Sequence, residues 1–244
     1  MKIKYRGLNR VLDSVDSCIN NLFKLFLLPI ILVGVYAIYD WGQLEVGAIK
    51  AAGLAKEYVD ASGDSVDFKA LQQKNADVVA WLRVPDTNID FPVMQAKDNY
   101  YYLSHDFEKN YAVTGGIFLD YRNRDDFSDS FSIIYGHRMS SGRMFSDVGK
   151  FEDKKFFNEH REGAVLYTPG QKYRIRFVAF ASVYGVQGEI YNVGAFRTEE
   201  SVEKVLESAS IIESDARNGE KYILLSTCSV KEQAKRDVLL GVLE

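Results

Sequence analysis

The stretch from Leu22 to Tyr39, LFKLFLLPIILVGVYAIY, constrains this chain more than any other: 18 residues with a single charge, Lys24, near one end. At about 1.5 Å of rise per residue a helix over it spans roughly 27 Å, close to the roughly 30 Å hydrocarbon core of a bilayer. Lys24 sits near enough to the end for its ammonium to reach the interface. The competing reading is a helix buried in a soluble core. Such a helix carries a polar stripe at helical spacing, and Leu25 to Tyr39 carries none, so the span reads as transmembrane. Before it, Lys2, Lys4, Arg6 and Arg10 outweigh Asp13 and Asp16, which predicts a cytoplasmic N-terminus with the bulk of the chain outside. The residues at its end, VYAIYDWGQ, are bulky where a cleavage site needs small ones, so a retained anchor is expected and cleavage is the lesser reading.

Setting aside the five basic and two acidic residues up to Lys24 leaves 25 basic against 32 acidic, a net charge of −7 for the exported part. That balance argues against nucleic acid as a partner. The composition, 47% hydrophobic with only 4 prolines, is that of a folded chain. Its two cysteines, Cys18 and Cys228, would lie on opposite sides of the membrane and cannot pair within one chain. An unpaired exported thiol is exposed to oxidation, so Cys228 calls for a chemical reason.

After the anchor, residues 42–82 have helix-forming composition broken by DASGDSVD at 60–67, which predicts a short stalk and one or two helices. From TNIDFPVM onward the texture changes to short runs rich in Val, Ile, Tyr and Phe bounded by Gly, Asp and Asn, the pattern of strands. Strands are expected over Ile89 to Met94, Gly116 to Tyr121, Ser132 to Tyr135, Ala164 to Thr168, Tyr173 to Tyr184, Tyr222 to Cys228 and Asp237 to Leu243. Two charged helical patches interrupt them, DKKFFNEHRE and TEESVEKVLESAS, the second with Thr198 as its expected N-cap. Many strands and few helices predict a mainly β, closed or sandwiched domain of roughly 170 residues. The expected organisation is a basic tail (1–21), an anchor (22–39), stalk and N-terminal helices (40–74) and one β domain (75–244).

Cys228 ends an apolar run, KYILLSTCSV, and its plain reading is core filler. Its reading as a nucleophile needs a base. His160 in FFNEHREG reads as a solvated helix end, and His105 in YYLSHDFEKN as a turn residue. His137 follows an apolar strand and a glycine in FSIIYGHRMSSG, a position from which a side chain can face a cleft. Lys231, Lys235 and Arg236 follow Cys228 and would lie beside it if the flanking strands pair; ordinary edge charge is the plainer reading for each. Arg236 is favoured, because a permanently charged planar fork can hold an oxyanion without losing its proton. Scattered histidines give no zinc spacing, DYRNRDDFSDS lacks a calcium-loop pattern, and no glycine-rich phosphate loop follows a strand, so neither metal nor cofactor is expected.

With His137 in YGH, Cys228 in LSTC and Arg236 following, the chain resembles the sortase family of cysteine transpeptidases. LLSTCSV resembles the family's TLxTC signature, with Leu224 where Thr is common. IIYGHRMSSGRMFSDVGKF is similar to the segment around the family's catalytic histidine, and AKDNYYYLSHDF and GGIFLDYRN resemble class B members. The resemblance implies a closed barrel of about eight strands, with N-terminal helices and a helix between Tyr184 and Tyr222. It implies Cys228 as nucleophile, His137 as acid and base, and Arg236 as oxyanion or orienting residue. Asn99, Leu103, Tyr135, Ser226 and Thr227 would line the peptide cleft. It further implies, as partners, a surface protein with a C-terminal sorting signal cleaved after Thr and an amine of peptidoglycan precursor, joined through a thioester. Ser229 and Val230 follow the cysteine where class B members often carry an acidic residue. An extracytoplasmic cysteine protease and a non-catalytic peptide-binding barrel remain the alternatives; the CGSCW and QACRG signatures of two protease families are absent from the sequence.

Overall fold

The computed structural model describes residues 2–139, 141–185, 190–191, 198–228 and 234–244. The chain forms two units, 1–43 and 44–244. The first is helical, the N-terminal part of α1 (Lys2–Tyr58). Among the described residues this is the one helix long and apolar enough to cross a membrane, with a mean hydropathy of 2.2 over 18 residues, none of them buried.

The second unit contains the rest of α1, then α2 (Phe68–Lys74), β1 (Val78–Arg83), β2 (Asp90–Met94), β3 (Ile117–Leu119), β4 (Phe131–Tyr135), α3 (Lys154–His160), β5 (Ala164–Tyr167), β6 (Lys172–Tyr184), α4 (Thr198–Glu207), β7 (Ala209–Ile212), β8 (Tyr222–Cys228) and β9 (Lys235–Leu243). The strands run β5-β1-β2-β3-β4-β8-β9-β6, and β6 pairs back onto β5. Eight strands therefore close a barrel, and β7 hangs on the outer edge of β6. Closure removes the unpaired edges that an open sheet of this length would present. The barrel is mixed: β2 with β3 and β4 with β8 are parallel, the other pairs antiparallel.

Both faces of β8 are covered. Ile223 and Leu225 point into the barrel with Ile134, Phe145 and Phe177, while Tyr222 and Leu224 pack outside against Val202, Val205 and Leu206 of α4. A third cluster, with Leu54, Tyr58, Leu71, Trp81 and Tyr102, seats the end of α1 and α2 on the outer face of β1 and β2. Each such fully buried side chain contributes roughly 1.5–3 kcal/mol of transfer free energy.

All seven expected strands form, Tyr222–Cys228 with both ends as expected and the others with ends shifted by at most two residues. Two more appear. β1 begins inside the stretch read as helical and ends one residue past it, and β7 follows one residue after α4. The expected helices are α3, capped by Asp153 through Phe156 N (2.8 Å), and α4. Thr198 is the first helical residue of α4, and its hydroxyl pairs with Ser130 Oγ (2.6 Å).

Candidate active site

Parallel pairing of β4 and β8 builds the site. Tyr135 lies opposite Ser226, so the residues two positions further on, His137 and Cys228, leave the barrel at the same rim. Antiparallel β9 then runs back alongside, with Arg236 directly opposite Cys228 and, on its other side, opposite Val183 of β6. Strand register alone thus brings together residues from three distant parts of the sequence. They border an open cleft whose lining includes Asn99, Leu103, Tyr135, His137, Ser226, Thr227 and Arg236, joined by Tyr100, Phe118, Gly136, Gly185 and Tyr191.

Two glycines let the rim close. Gly136 precedes His137 in a space where a Cβ would lie 2.5 Å from the Phe145 ring and 2.6 Å from Ile117. Gly115, with φ at +57°, brings the long β2–β3 connection against the histidine. A Cβ there would fall 2.5 Å from Tyr102 O and 3.0 Å from His137 Cδ2. The same connection presents the Leu103 carbonyl to His137 Nε2 at 3.0 Å. A carbonyl only accepts, so Nε2 carries the proton and Nδ1 is the nitrogen left to exchange one.

Arg236 packs against Gly185, where a Cβ would lie 3.4 Å from its guanidinium carbon, and donates to Lys235 O (3.1 Å). Beneath it, on the opposite face of β9, buried Asp237 faces Arg138 Nη1 at 3.6 Å and accepts from Ser182 Oγ at 2.5 Å. The pair links the residue after His137 to the residue after Arg236. The Thr227 hydroxyl is buried with no hydrogen-bond partner among the described residues, whereas Ser226 Oγ lies 3.3 Å from the Tyr191 hydroxyl.

The binding wall centres on Asp120, whose carboxylate receives Asn99 Nδ2 (2.9 Å) and the Tyr135 hydroxyl (3.0 Å). Burial pushes that carboxyl up, but hydrogen bonds from Arg122 and Asn99 outweigh it and hold Asp120 below the usual carboxylate range. Burial, together with the Asp120 charge, raises the Tyr135 phenol and keeps it protonated. Asp120, Arg122 and Tyr191 were not singled out from sequence, although GGIFLDYRN contains the first two; an acid in a polar turn gives no sign of its partners.

The other candidates lie elsewhere. His105 stacks on Tyr101 (4.2 Å) and bonds its carbonyl (2.8 Å). His160 stacks on Phe156 (4.0 Å) with its Nε2 3.7 Å from Asp86. Lys235 lies over the Tyr184 ring at 5.0 Å. Lys231, Ser229 and Val230 fall outside the described residues, and of Cys228 only the backbone is described. No group of metal-ligating side chains occurs among the described residues.

No protein-family model matches the chain. Sortase B of Listeria monocytogenes is 35% identical over 176 residues, 70% of each chain, and sortase B of Staphylococcus aureus is 26% identical over 181. Among solved structures, a Streptococcus pyogenes class B sortase involved in pilus biogenesis superimposes with a TM-score of 0.65 at 30% identity, covering 73% of this chain and 98% of that one. Clostridium perfringens sortase B matches equally well, with a TM-score of 0.65 and 30% identity over 72% of this chain and 98% of its own. At 35% identity to a sortase B over 70% of each chain, and with an eight-stranded mixed barrel that superimposes on solved class B sortases, the chain belongs to the class B sortases, the cysteine transpeptidases.

Proposed function

We propose that this transpeptidase is anchored by its 22–39 span, faces outward, and cleaves the C-terminal sorting motif of a surface protein after Thr before joining it to an amine of peptidoglycan precursor. Cys228 is the nucleophile, His137 the acid and base, and Arg236 the oxyanion partner. Asn99, Leu103, Tyr135, Ser226 and Thr227 form the peptide's bed. The observation that carries this reading is the register placing Arg236 opposite Cys228 on β9 and the exit of His137 beside it on β4.

A free thiol near its reference value of about 8.5 is mostly protonated at neutral pH, so attack on an amide needs a thiolate stabilised by nearby positive charge. His137 and Arg236 provide it. The thiolate forms an S–C bond to the Thr carbonyl carbon, and the C=O pair moves onto oxygen, where Arg236 and backbone N–H groups stabilise it. Collapse breaks the C–N bond, and the leaving amine takes a proton from His137, leaving a thioester. An incoming amine gives its proton back to His137, forms the new amide and releases the thiolate. No cofactor enters the scheme.

Transpeptidase and protease share that thioester and differ in what captures it, so the test is partition. The full chain in detergent micelles is incubated with peptides carrying Thr-Gly or Thr-Asn, with and without short peptide amines. The expected result is an acyl group on Cys228 by mass spectrometry, slow hydrolysis alone, and diversion into a new amide when amine is added, because positioning lets a bound amine outcompete about 55 M water. Cys228→Ala and His137→Ala should abolish both. Fast hydrolysis unaffected by every amine would replace this reading with a protease, and peptide binding unaffected by alkylation with no cleavage at all would replace it with a binding module.

A further inference from the structure

Asp120 follows β3 and is completely buried, yet its carboxylate bonds the cleft-lining Asn99 and Tyr135. Oδ1 accepts from Arg122 N (3.0 Å) and Nε (2.8 Å); Oδ2 accepts from Arg122 Nη2 (2.8 Å), Asn99 Nδ2 (2.9 Å) and the Tyr135 hydroxyl (3.0 Å). Arg122 Nη2 also donates to the Tyr191 carbonyl at 2.8 Å, and the Tyr191 ring stacks on Tyr135 with centroids 6.2 Å apart. One carboxylate therefore ties together the β2–β3 connection, β4 and the segment after β6, the three walls around the peptide bed.

The bonds also fix polarity. Tyr135 has one proton and commits it to Asp120, so toward the cleft its oxygen can only accept. Asn99 gives one N–H to Asp120, and its Oδ1 accepts from Tyr121 N at 2.9 Å, which fixes the amide flip and leaves its second N–H as a donor. An ionised acid is the one side chain of this size that can accept from a guanidinium, an amide and a phenol at once.

We propose that Asp120 is the positioning residue of the peptide cleft: it holds Asn99 as a donor and Tyr135 as an acceptor, and through Arg122 it holds Tyr191 over them. The proposal rests on the cleft being the peptide site. Among the described residues the Asp120 carboxylate bonds to Arg122, Asn99 and Tyr135, so its removal weakens peptide binding and spares the chemistry. Asp120→Asn keeps the volume but turns an N–H2 toward groups that already donate.

The experiment has two arms on the full chain in micelles. In hydrogen exchange, Asp120→Asn should speed exchange at the Tyr121 amide, which Asn99 holds, while amides of β8 stay protected. This arm needs no substrate. In kinetics with the best-cleaved member of the Thr-Gly and Thr-Asn library, KM should rise about tenfold, the loss of a bond or two to a charged group. The kcat should stay within about threefold, and the rate of Cys228 alkylation by iodoacetamide should be unchanged. Arg122→Gln, on a half-exposed side chain, keeps the bonds to Asn99 and Tyr135 and releases Tyr191; it should raise KM by a smaller factor and serves if Asp120→Asn does not fold. Unchanged exchange at Tyr121, an unchanged KM in either variant, or a fall in kcat and alkylation at constant KM overturns the proposal. If no peptide acylates the wild type while exchange at Tyr121 still responds, the peptidase reading falls and the Asp120 assembly stands.

Discussion

Arg236 is set apart from its neighbours by register. Opposite Cys228 on one side and Val183 on the other, it is held between two strands, and Gly185 leaves room for its guanidinium. Lys235, one residue earlier, lies over the Tyr184 ring, and alternation along the strand sends successive side chains to opposite faces. Arg236→Ala should lose about 3 kcal/mol or more of transition-state stabilisation, read from kcat/KM, and Lys at 236 should restore only part because a point charge cannot reproduce the fork. Lys235→Ala should change kcat/KM by less than about threefold. A larger loss from Lys235→Ala than from Arg236→Ala would show that the wrong cation has been assigned to the oxyanion.

Among the elements, the end of α1 together with α2 acts on the site from a distance by gripping the β2–β3 connection. Asn75, which ends α2, donates Nδ2 to the Tyr102 hydroxyl (3.0 Å) and the Phe107 carbonyl (2.8 Å), and Tyr102 in turn bonds Asp77 (2.7 Å). Lys50 pairs with Asp106 and Glu108 from the solvent side. The gripped segment carries the Leu103 carbonyl that orients His137. Asn75→Ala takes the described donor from the buried Phe107 carbonyl and leaves the Tyr102 hydroxyl only its bond to Asp77, and it should cost about 1–3 kcal/mol in denaturant unfolding, with a fall in kcat as His137 loosens. Lys50→Ala removes exposed pairs and should cost under about 1 kcal/mol. Equal effects of the two, or an Asn75→Ala enzyme with full kcat, would separate these helices from catalysis. The sequence shows why such links are hard to foresee. β4, β8 and β9 were legible because each is an apolar, β-branched run, and the residues at their ends could be named from their motifs. β1 was not: Ala80 and Leu82 face the interior while Val78 and Trp81 pack under α1 and α2, so apolar residues on both faces, with a register shift between Val78 and Ala80, erase the alternation and leave a helix-like composition. β7 has only four residues and adjoins α4. Asp120 could not be read because its partners at 99, 135 and, through Arg122, 191 converge only when the barrel closes.

At the scale of the whole molecule, the chemistry and the location of the chain depend on one another. The acyl acceptor proposed for this enzyme is an amine outside the cell, and a thiol nucleophile there works only if the catalytic unit is exported. The 1–43 unit fits the proposed anchor: Phe26, Ile30, Val33, Tyr36 and Ile38 are each more than 60% exposed, an apolar surface that water would penalise and hydrocarbon would not. In the proposed topology the four basic residues at 2, 4, 6 and 10 would hold the preceding segment on the cytoplasmic side. A phosphatase that folds only outside the cytoplasm, fused after Glu244, should therefore be active, and a β-galactosidase at the same place inactive. The chain should stay in the membrane pellet after carbonate extraction and keep residues 1–39. Replacing Lys2, Lys4, Arg6 and Arg10 together by Gln leaves only acidic charge in that flank apart from Lys24, and should reduce phosphatase activity by weakening the orientation signal. Active cytoplasmic β-galactosidase, or a mature protein beginning after residue 39, would refute the anchored topology. Charge variants indistinguishable from wild type would show that the apolar span, and not its basic flank, sets the direction.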